Sequence, residues 1–253
     1  MSLKVPKDWW RRFFQKDYLQ VYERQDLVRA PLEVEGIIEI LDLPKGCKIL
    51  DLCCGYGRHS IPLAKKGYEM TGVDLSPVLL KKAKEWAREE GVQVRWLRGD
   101  MRELPFQNEF EGVINIFTAF GYFEEERENL KVLKCVSRAL KKGGRFLLDT
   151  INREWIIRNF KGKDWEKIDR DTYALDEREL DLIRNRIRAR TLFLGKGKRK
   201  GMSHSLRLYS LGEMIHMMNE AGLSFVSCLG GLEGGEYSNE SKRMVILAKK
   251  EGS

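Results

Sequence analysis

Histidine is scarce in this chain of 253 residues, with three, and its five cysteines show no Cys-x-x-Cys spacing. A metal site built from such residues is not expected. The odd cysteine count, with an adjacent pair Cys53-Cys54, suits small packing thiols in a reducing compartment rather than a disulfide framework. No run of eighteen apolar residues occurs, so no membrane span is expected. The stretch Lys4, Lys7, Asp8, Trp9, Trp10, Arg11, Arg12 lacks the apolar centre of a signal peptide. These absences predict a cytoplasmic globular protein. Its length and 42% hydrophobic content allow one sizeable α/β core with an appendage. Oligomeric state is not readable.

The most informative stretch runs from Lys48 to Ser76. Apolar Ile49 and Leu50 lead to Asp51, a tight Gly55-Tyr56-Gly57 turn follows, and then a helical segment. A second apolar run, Met70 to Val73, ends in Asp74. This is strand, turn, helix, strand, with a carboxylate at each strand end. Ligands of open parallel sheets sit beyond those ends. Two carboxylates without a phosphate-binding signature point to a cofactor with a ribose and no pyrophosphate. The rival, a dinucleotide oxidoreductase, needs Gly-x-Gly-x-x-Gly, and here Ser60 follows Gly57.

Asp51 to Gly57 resembles the first motif of class I S-adenosylmethionine-dependent methyltransferases, with Cys53 where many members carry glycine. Cysteine keeps the turn if its φ stays negative. The resemblance implies S-adenosyl-L-methionine as cofactor and S-adenosyl-L-homocysteine as product. Asp51, Cys53, Gly55 and Gly57 then belong to the methionine end, and Asp74 to the ribose hydroxyls. Asp100 and Met101 take the adenine, with Leu75 on its other face. Asp100 alone also reads as a turn cap. Ser76 as N-cap and Pro77 at the first helical position open the next helix.

Later strands are expected at Val92 to Leu97, Gly112 to Phe117 and Arg145 to Asp149. A helix from Arg127 to Leu140 stops at Lys141-Lys142-Gly143-Gly144. Asn115 and Phe117 become candidate cofactor contacts and Tyr122 a candidate wall of the substrate pocket. Core packing is the competing reading for the aromatics, and the preferred one for Phe117 and Phe123. Ser210 and Glu213 form a capping box before a helix from Leu211 to Ala221. Leu223 to Leu229 and Met244 to Lys249 then read as an antiparallel hairpin at the sheet edge. The resemblance implies an α/β fold: a Rossmann-like, seven-stranded mixed sheet with an antiparallel last strand pair.

Two segments lie outside that core of residues 47–152 and 210–250. Residues 1–46 read as a helical lid, with aromatics at Trp9, Trp10, Phe13 and Phe14 and a helix opened by Pro31. Tyr18 or Tyr22 is placed near the sulfonium, where cation–π attraction gives ~0.5–2 kcal/mol, or simply packs. Residues 153–209 read as an inserted antiparallel β cap, with strands at Trp165 to Tyr173, Leu180 to Leu194 and Met202 to Tyr209. His204 is a weak catalytic candidate, as is Tyr122. Arg207, Tyr237 and Arg243 are further substrate-pocket candidates.

Net charge is +8, and eight basic residues with no acidic one lie between Arg184 and Lys200. Arg184, Arg186, Arg188 and Arg190 at spacing two fall on one strand face. They read as a phosphate-binding stripe, hence an RNA methyltransferase, or as a solvated face opposed by Asp176, Glu177, Glu179 and Asp181. The preferred expectation is methyl transfer to a small-molecule acceptor by in-line displacement. A non-catalytic S-adenosylmethionine-binding protein is the third reading.

Overall fold

The computed structural model describes residues 3–168, 170–195 and 198–252, apart from the side chains of 20–27 and 198–199. Seven strands form the main sheet: β1 (Lys48–Leu52), β2 (Glu69–Asp74), β3 (Arg95–Arg98), β4 (Phe110–Asn115), β5 (Leu140–Ile151), β10 (Leu223–Leu229) and β11 (Arg243–Lys250). Their order is β10-β11-β5-β4-β1-β2-β3. β1 pairs in parallel with both β2 and β4, so the order reverses beside its carboxyl end. A crevice opens at such a reversal. The fold is α/β and Rossmann-like, as expected. The hairpin of β10 and β11 forms, yet its second strand lies inside the sheet, antiparallel to both β5 and β10.

Residue alternation sorts the core onto the two faces. Ile49, Ile114, Leu147 and Val245 pack with Val34, Ile37 and Leu41 of helix α2 (Lys16–Leu41). Leu50, Val113, Phe146 and Ile246 pack with helices α5 (Glu126–Ala139) and α7 (Leu211–Glu220) on the other face. Helices α3 (Ser60–Lys65) and α4 (Pro77–Glu89) complete the crossovers, and Ser76 caps α4 through its side chain as expected. The Ser210–Glu213 capping box of α7 is also present.

Several boundaries differ from expectation. Pro31 does not open a helix but lies within α2, which begins at Lys16. The stripe Ala30, Val34, Ile37 and Leu41 is buried at helical spacing on both sides of it, so tertiary burial carries the helix through. β3 starts at Arg95 rather than Val92. Lys141 to Gly144 do not follow a helix stop; they belong to β5, whose register against β4 shifts there, with Gly143 at φ +74. Helix α1 (Trp10–Phe13) is a single turn.

The region after β5 holds α6 (Arg153–Arg158) and a second antiparallel sheet of β6 (Lys163–Lys167), β7 (Thr172–Asp181), β8 (Arg186–Gly195) and β9 (Lys198–Arg207), in that order. The strand expected from Leu180 to Leu194 is therefore two strands with a turn between, and the one from Trp165 to Tyr173 likewise divides into β6 and β7. Asp181 makes the first of these turns by accepting the N–H groups of Ile183 and Arg184, and Asn185 adopts φ +47. Asp and Asn tolerate such positions. The arginine row is not a free stripe. Arg184 lies in the turn, and Arg186 is buried, donating to Ser205 Oγ and to the carbonyl of Phe123. Arg188 stands 3.8 Å from both Glu179 and Asp181, and Arg190 lies opposite Glu177. A backbone hydrogen bond from Arg207 to Gly121 ties the small sheet to the core.

Candidate active site

β1, β2 and β3 deliver Asp51, Asp74 and Asp100 to one cavity of about 530 Å³ beyond the strand ends. The loop after β1 folds back over β2, with the N–H groups of Cys53 and Cys54 both donating to the Val73 carbonyl. This brings the Gly55 N–H to Asp74 Oδ2 at 2.9 Å, while the Ser76 N–H meets Oδ1 at 2.7 Å. Each carboxylate oxygen of Asp74 so receives one donor and keeps acceptor capacity for a ligand. Burial still dominates and pushes its carboxyl up to about 6. Asp51 is 2% exposed and accepts from Ser60 Oγ at 2.6 Å. Burial raises its pKa too, against the pull of His59, Ser60 and Arg58.

Cys53 departs from expectation: its φ is +64, not negative. It occupies the left-handed region that glycine fills without penalty, where an L-residue stores ~1–2 kcal/mol of strain. Asp100 is held by Arg102, with Nε to Oδ1 at 3.0 Å and Nη2 to Oδ2 at 2.7 Å. It also accepts the Arg102 backbone N–H, so the turn-cap and cavity-lining readings both apply.

Leu75, Met101, Phe117, Tyr18, Tyr122 and His204 all line the same cavity. Gly57 does not; its missing Cβ makes room for Trp96, 2.7 Å from where a Cβ would lie. Asn115 is also behind the wall, 1% exposed, with Nδ2 donating to the Leu52 carbonyl at 2.9 Å. The Tyr22 side chain lies outside the described residues. Arg207 is turned away from the cavity, to Glu126 and Glu213. Tyr237 is outside as well, with its hydroxyl 3.2 Å from Asn152 Oδ1 and from Glu154 Oε2.

An aromatic roof covers the cavity. Trp9 meets Tyr122 edge-on at 4.9 Å, Phe14 stacks on Tyr122 at 5.8 Å, and Phe13 meets His204 at 5.6 Å. Burial lowers the His204 pKa to about 4, so the imidazole is neutral near pH 7 and is a weak base. It accepts hydrogen bonds there more readily than protons. Burial also raises the Tyr122 phenol well above its usual range.

Arg243, a pocket candidate from the sequence, does line the cavity, whereas the sequence reading missed Arg58 and His59 in the wall and Glu33 behind it. Glu33 of α2 meets Arg58 at 2.9 Å and His59 at 2.8 Å. Arg58 and His59 directly follow Gly57, a position that signals the loop mouth. Arg243, after the Gly-rich loop, reaches the site because β11 pairs it with Ile151.

The ensemble fits a cationic nucleoside without phosphate. Three carboxylates face the cavity beside apolar Leu75 and Met101, under aromatic rings that suit a sulfonium. Residues 49–144 match a family model described as "Methyltransferase domain". "Putative methyltransferase YqeM" of Bacillus subtilis (strain 168) is 28% identical over 218 residues, covering 82% of this chain and 86% of that protein. An S-adenosylmethionine-dependent methyltransferase structure from Clostridium acetobutylicum ATCC 824 superposes with a TM-score of 0.80 at 21% identity, over 93% and 98% of the chains. The SAM-bound structure of CalS10, an amino pentose methyltransferase from Micromonospora echinaspora, does so at 0.66 and 20%, over 99% of each. Among the described residues no helix is long and apolar enough to cross a membrane. The chain thus carries a methyltransferase domain over residues 49–144, in a fold it shares with S-adenosylmethionine-dependent methyltransferases.

Proposed function

We propose that this enzyme methylates a small molecule held between the strand-end aspartates and the aromatic roof. One observation carries the reading: the cavity that collects Asp51, Asp74 and Asp100 is closed over by Trp9, Phe13, Phe14 and Tyr18, with His204 and Leu206 of β9 in its wall. A partly covered cavity of about 530 Å³ suits a cofactor and a small acceptor better than a polynucleotide. CalS10 carries a small-molecule acceptor in its own name, in keeping with this. The arginine row gives little support to RNA: Arg186 is buried, and Arg184 and Arg188 stand 3.6 and 3.8 Å from Asp181.

In this assignment Asp74 accepts the ribose hydroxyls, Asp100 and Met101 border the adenine with Leu75, and Asp51 and the Cys53–Gly55 turn border the methionyl amino end. Phe117 and Tyr18 lie along the cofactor. Residues 1–46 act as the lid and 153–209 as the acceptor cap. The cofactor, when bound, supplies an electrophilic methyl on a cationic sulfur. The protein's part is to hold the acceptor atom in line at about 3–3.5 Å and to exclude water. Neutral His204 orients the acceptor by taking a hydrogen bond, and Tyr122 lines its approach.

Calorimetry with S-adenosylmethionine tests the cofactor half. Asp74→Ala is expected to weaken affinity by more than about tenfold; unchanged affinity would remove Asp74 from the ribose. Release of S-adenosylhomocysteine with a panel of small acceptors, against RNA, tests the other half. Turnover confined to RNA overturns it.

A further inference from the structure

Two arginines stand over one aromatic ring at the end of the cavity away from Asp74 and Asp100. Arg58 Cζ is 4.7 Å and Arg243 Cζ 5.8 Å from the centre of the Phe117 ring. Phe117 and Thr118 both take left-handed backbone, φ +63 and +60. Neither residue is glycine, and two such positions in succession are strained, a feature that concentrates at functional sites. The strain is held by Asp149, whose Oδ2 accepts the Phe117 N–H at 2.9 Å and whose carbonyl accepts that of Thr118 at 2.9 Å.

Arg58 and Arg243 both line the cavity, whereas their carboxylate partners, Glu33 and Asp149, do not. The cations therefore face the ligand space with their counter-charges behind them. Arg243 spends Nε and Nη2 on Asp149, and its Nη1 donates to no protein atom among the described residues. Its side chain is 26% exposed, against 7% for Arg58.

The methionyl tail of the cofactor carries one carboxylate, and there are two cations. Arg58 belongs with that tail: it follows the Gly55–Gly57 turn and lies close enough to Asp51 to pull its carboxyl down against burial. Arg243 stands at the same Phe117 ring but on β11 beside Ile151, farther along the sheet from Asp74 than Arg58. Elsewhere in the wall Trp9, Phe13, Phe14, Tyr122, Leu206 and uncharged His204 make an apolar or neutral surface.

Resting on the methyltransferase reading above, we infer that Arg243 binds a carboxylate on the methyl acceptor, and that the acceptor is an aromatic carboxylic acid. The flat apolar body fills the space between Trp9, Phe14 and Tyr122. Its acid group takes the unspent edge of Arg243, an arrangement for which a planar guanidinium is suited.

The test uses the full-length protein saturated with S-adenosylhomocysteine. Hydroxybenzoates and indole carboxylates are titrated beside the matching carboxamides, with affinity read by calorimetry. At least one acid is expected to bind tenfold or more tighter than its amide. Arg243→Gln should bring that ratio to about one while leaving S-adenosylhomocysteine affinity within about twofold. The double variant Arg243→Gln with Asp149→Asn removes both charges together and keeps the comparison valid if the single variant does not fold. The inference is overturned if no acid exceeds its amide. It is also overturned if Arg243→Gln weakens the nucleoside instead, which makes Arg243 a cofactor ligand. Absence of any nucleoside binding to the unaltered protein would instead defeat the methyltransferase reading itself.

Discussion

Asp149 holds Arg243 by two parallel hydrogen bonds, 2.8 Å from Nε to Oδ1 and 2.7 Å from Nη2 to Oδ2. The carboxylate is 3% exposed and also takes the Phe117 N–H. Removing it strands a guanidinium and a backbone donor at once, in a place water reaches poorly. Losing one partner of a buried pair costs about 3–5 kcal/mol. Asp149→Ala is therefore expected to lower unfolding free energy by about 3 kcal/mol or more, measured by urea denaturation. A loss under about 1 kcal/mol, the range of exposed pairs, would show the clamp to be peripheral.

Gly36 lies in the middle of α2, where helix propensity alone favours alanine by about 1 kcal/mol. Packing reverses the sign. A Cβ at Gly36 would stand 1.8 Å from the Leu232 carbonyl oxygen, a backbone atom that has no rotamer to escape into. Leu232 is itself in the core with Val34 and Ile37, so α2 must back away or the 230–235 loop must shift. Gly36→Ala should destabilise by about 1–3 kcal/mol, read as a lower thermal midpoint. A gain in stability would mean that the close approach of helix and loop is wrong.

Cys53 sits at φ +64, with its sulfur 3.6 Å from Met101 Sδ. Glycine would release the backbone strain but lose the buried thiol and gain unfolded-state freedom, so the terms oppose each other. Cys53→Gly is expected to change stability by less than about 1 kcal/mol. Valine, branched at Cβ, suits left-handed backbone worst. Cys53→Val should cost about 2 kcal/mol more than Cys53→Gly in the same urea measurement.

What the sequence disclosed and what it hid divide along one line. Asp51, Asp74 and Asp100 were legible because each ends an apolar run and the turn that aims it is a few residues long. Ser76 and the Ser210–Glu213 box were legible for the same local reason. Arg243 was named as a pocket candidate without its reason, because only the insertion of β11 between β5 and β10 carries it to the cavity. Glu33 was hidden in a helix whose start was misplaced at Pro31. The arginine row does face the acidic residues of β7 as one reading had it, but its extent misled because the turn after β7 contains no glycine or proline. Its signal was polar instead: Asp181 accepting two backbone donors, and Asn185 at positive φ. Spacing of two then ran through the turn unbroken, and the buried Arg186 looked like the exposed Arg190.

Asp74 gives the site a pH dependence of definite sign. Its carboxyl is raised from 3.8 to about 6, chiefly by burial, while an unfolded chain keeps the lower value. Between about pH 4 and 6 the folded, ligand-free protein thus holds a proton that the unfolded chain has lost. Stability contributed by this group is present below that window and falls as pH rises through it, by ~3 kcal/mol in all. Asp51, also raised, adds a slope of the same sign. His204 opposes both, because its pKa is lowered to about 4 and the unfolded chain takes up its proton first as pH falls below 6.5. The difference between the unaltered protein and Asp74→Asn isolates the one group. Urea titrations from pH 4 to 7 should show the variant gaining relative stability as pH rises. Cofactor affinity is expected to move the other way, tightening as pH climbs through about 6 and Asp74 ionises to accept the ribose hydroxyls, with Asp74→Asn flat over that range. A carboxylate kept costly to ionise until a ligand supplies the donors ties charge at this strand end to occupancy of the site; parallel pH profiles for the two proteins would break that link.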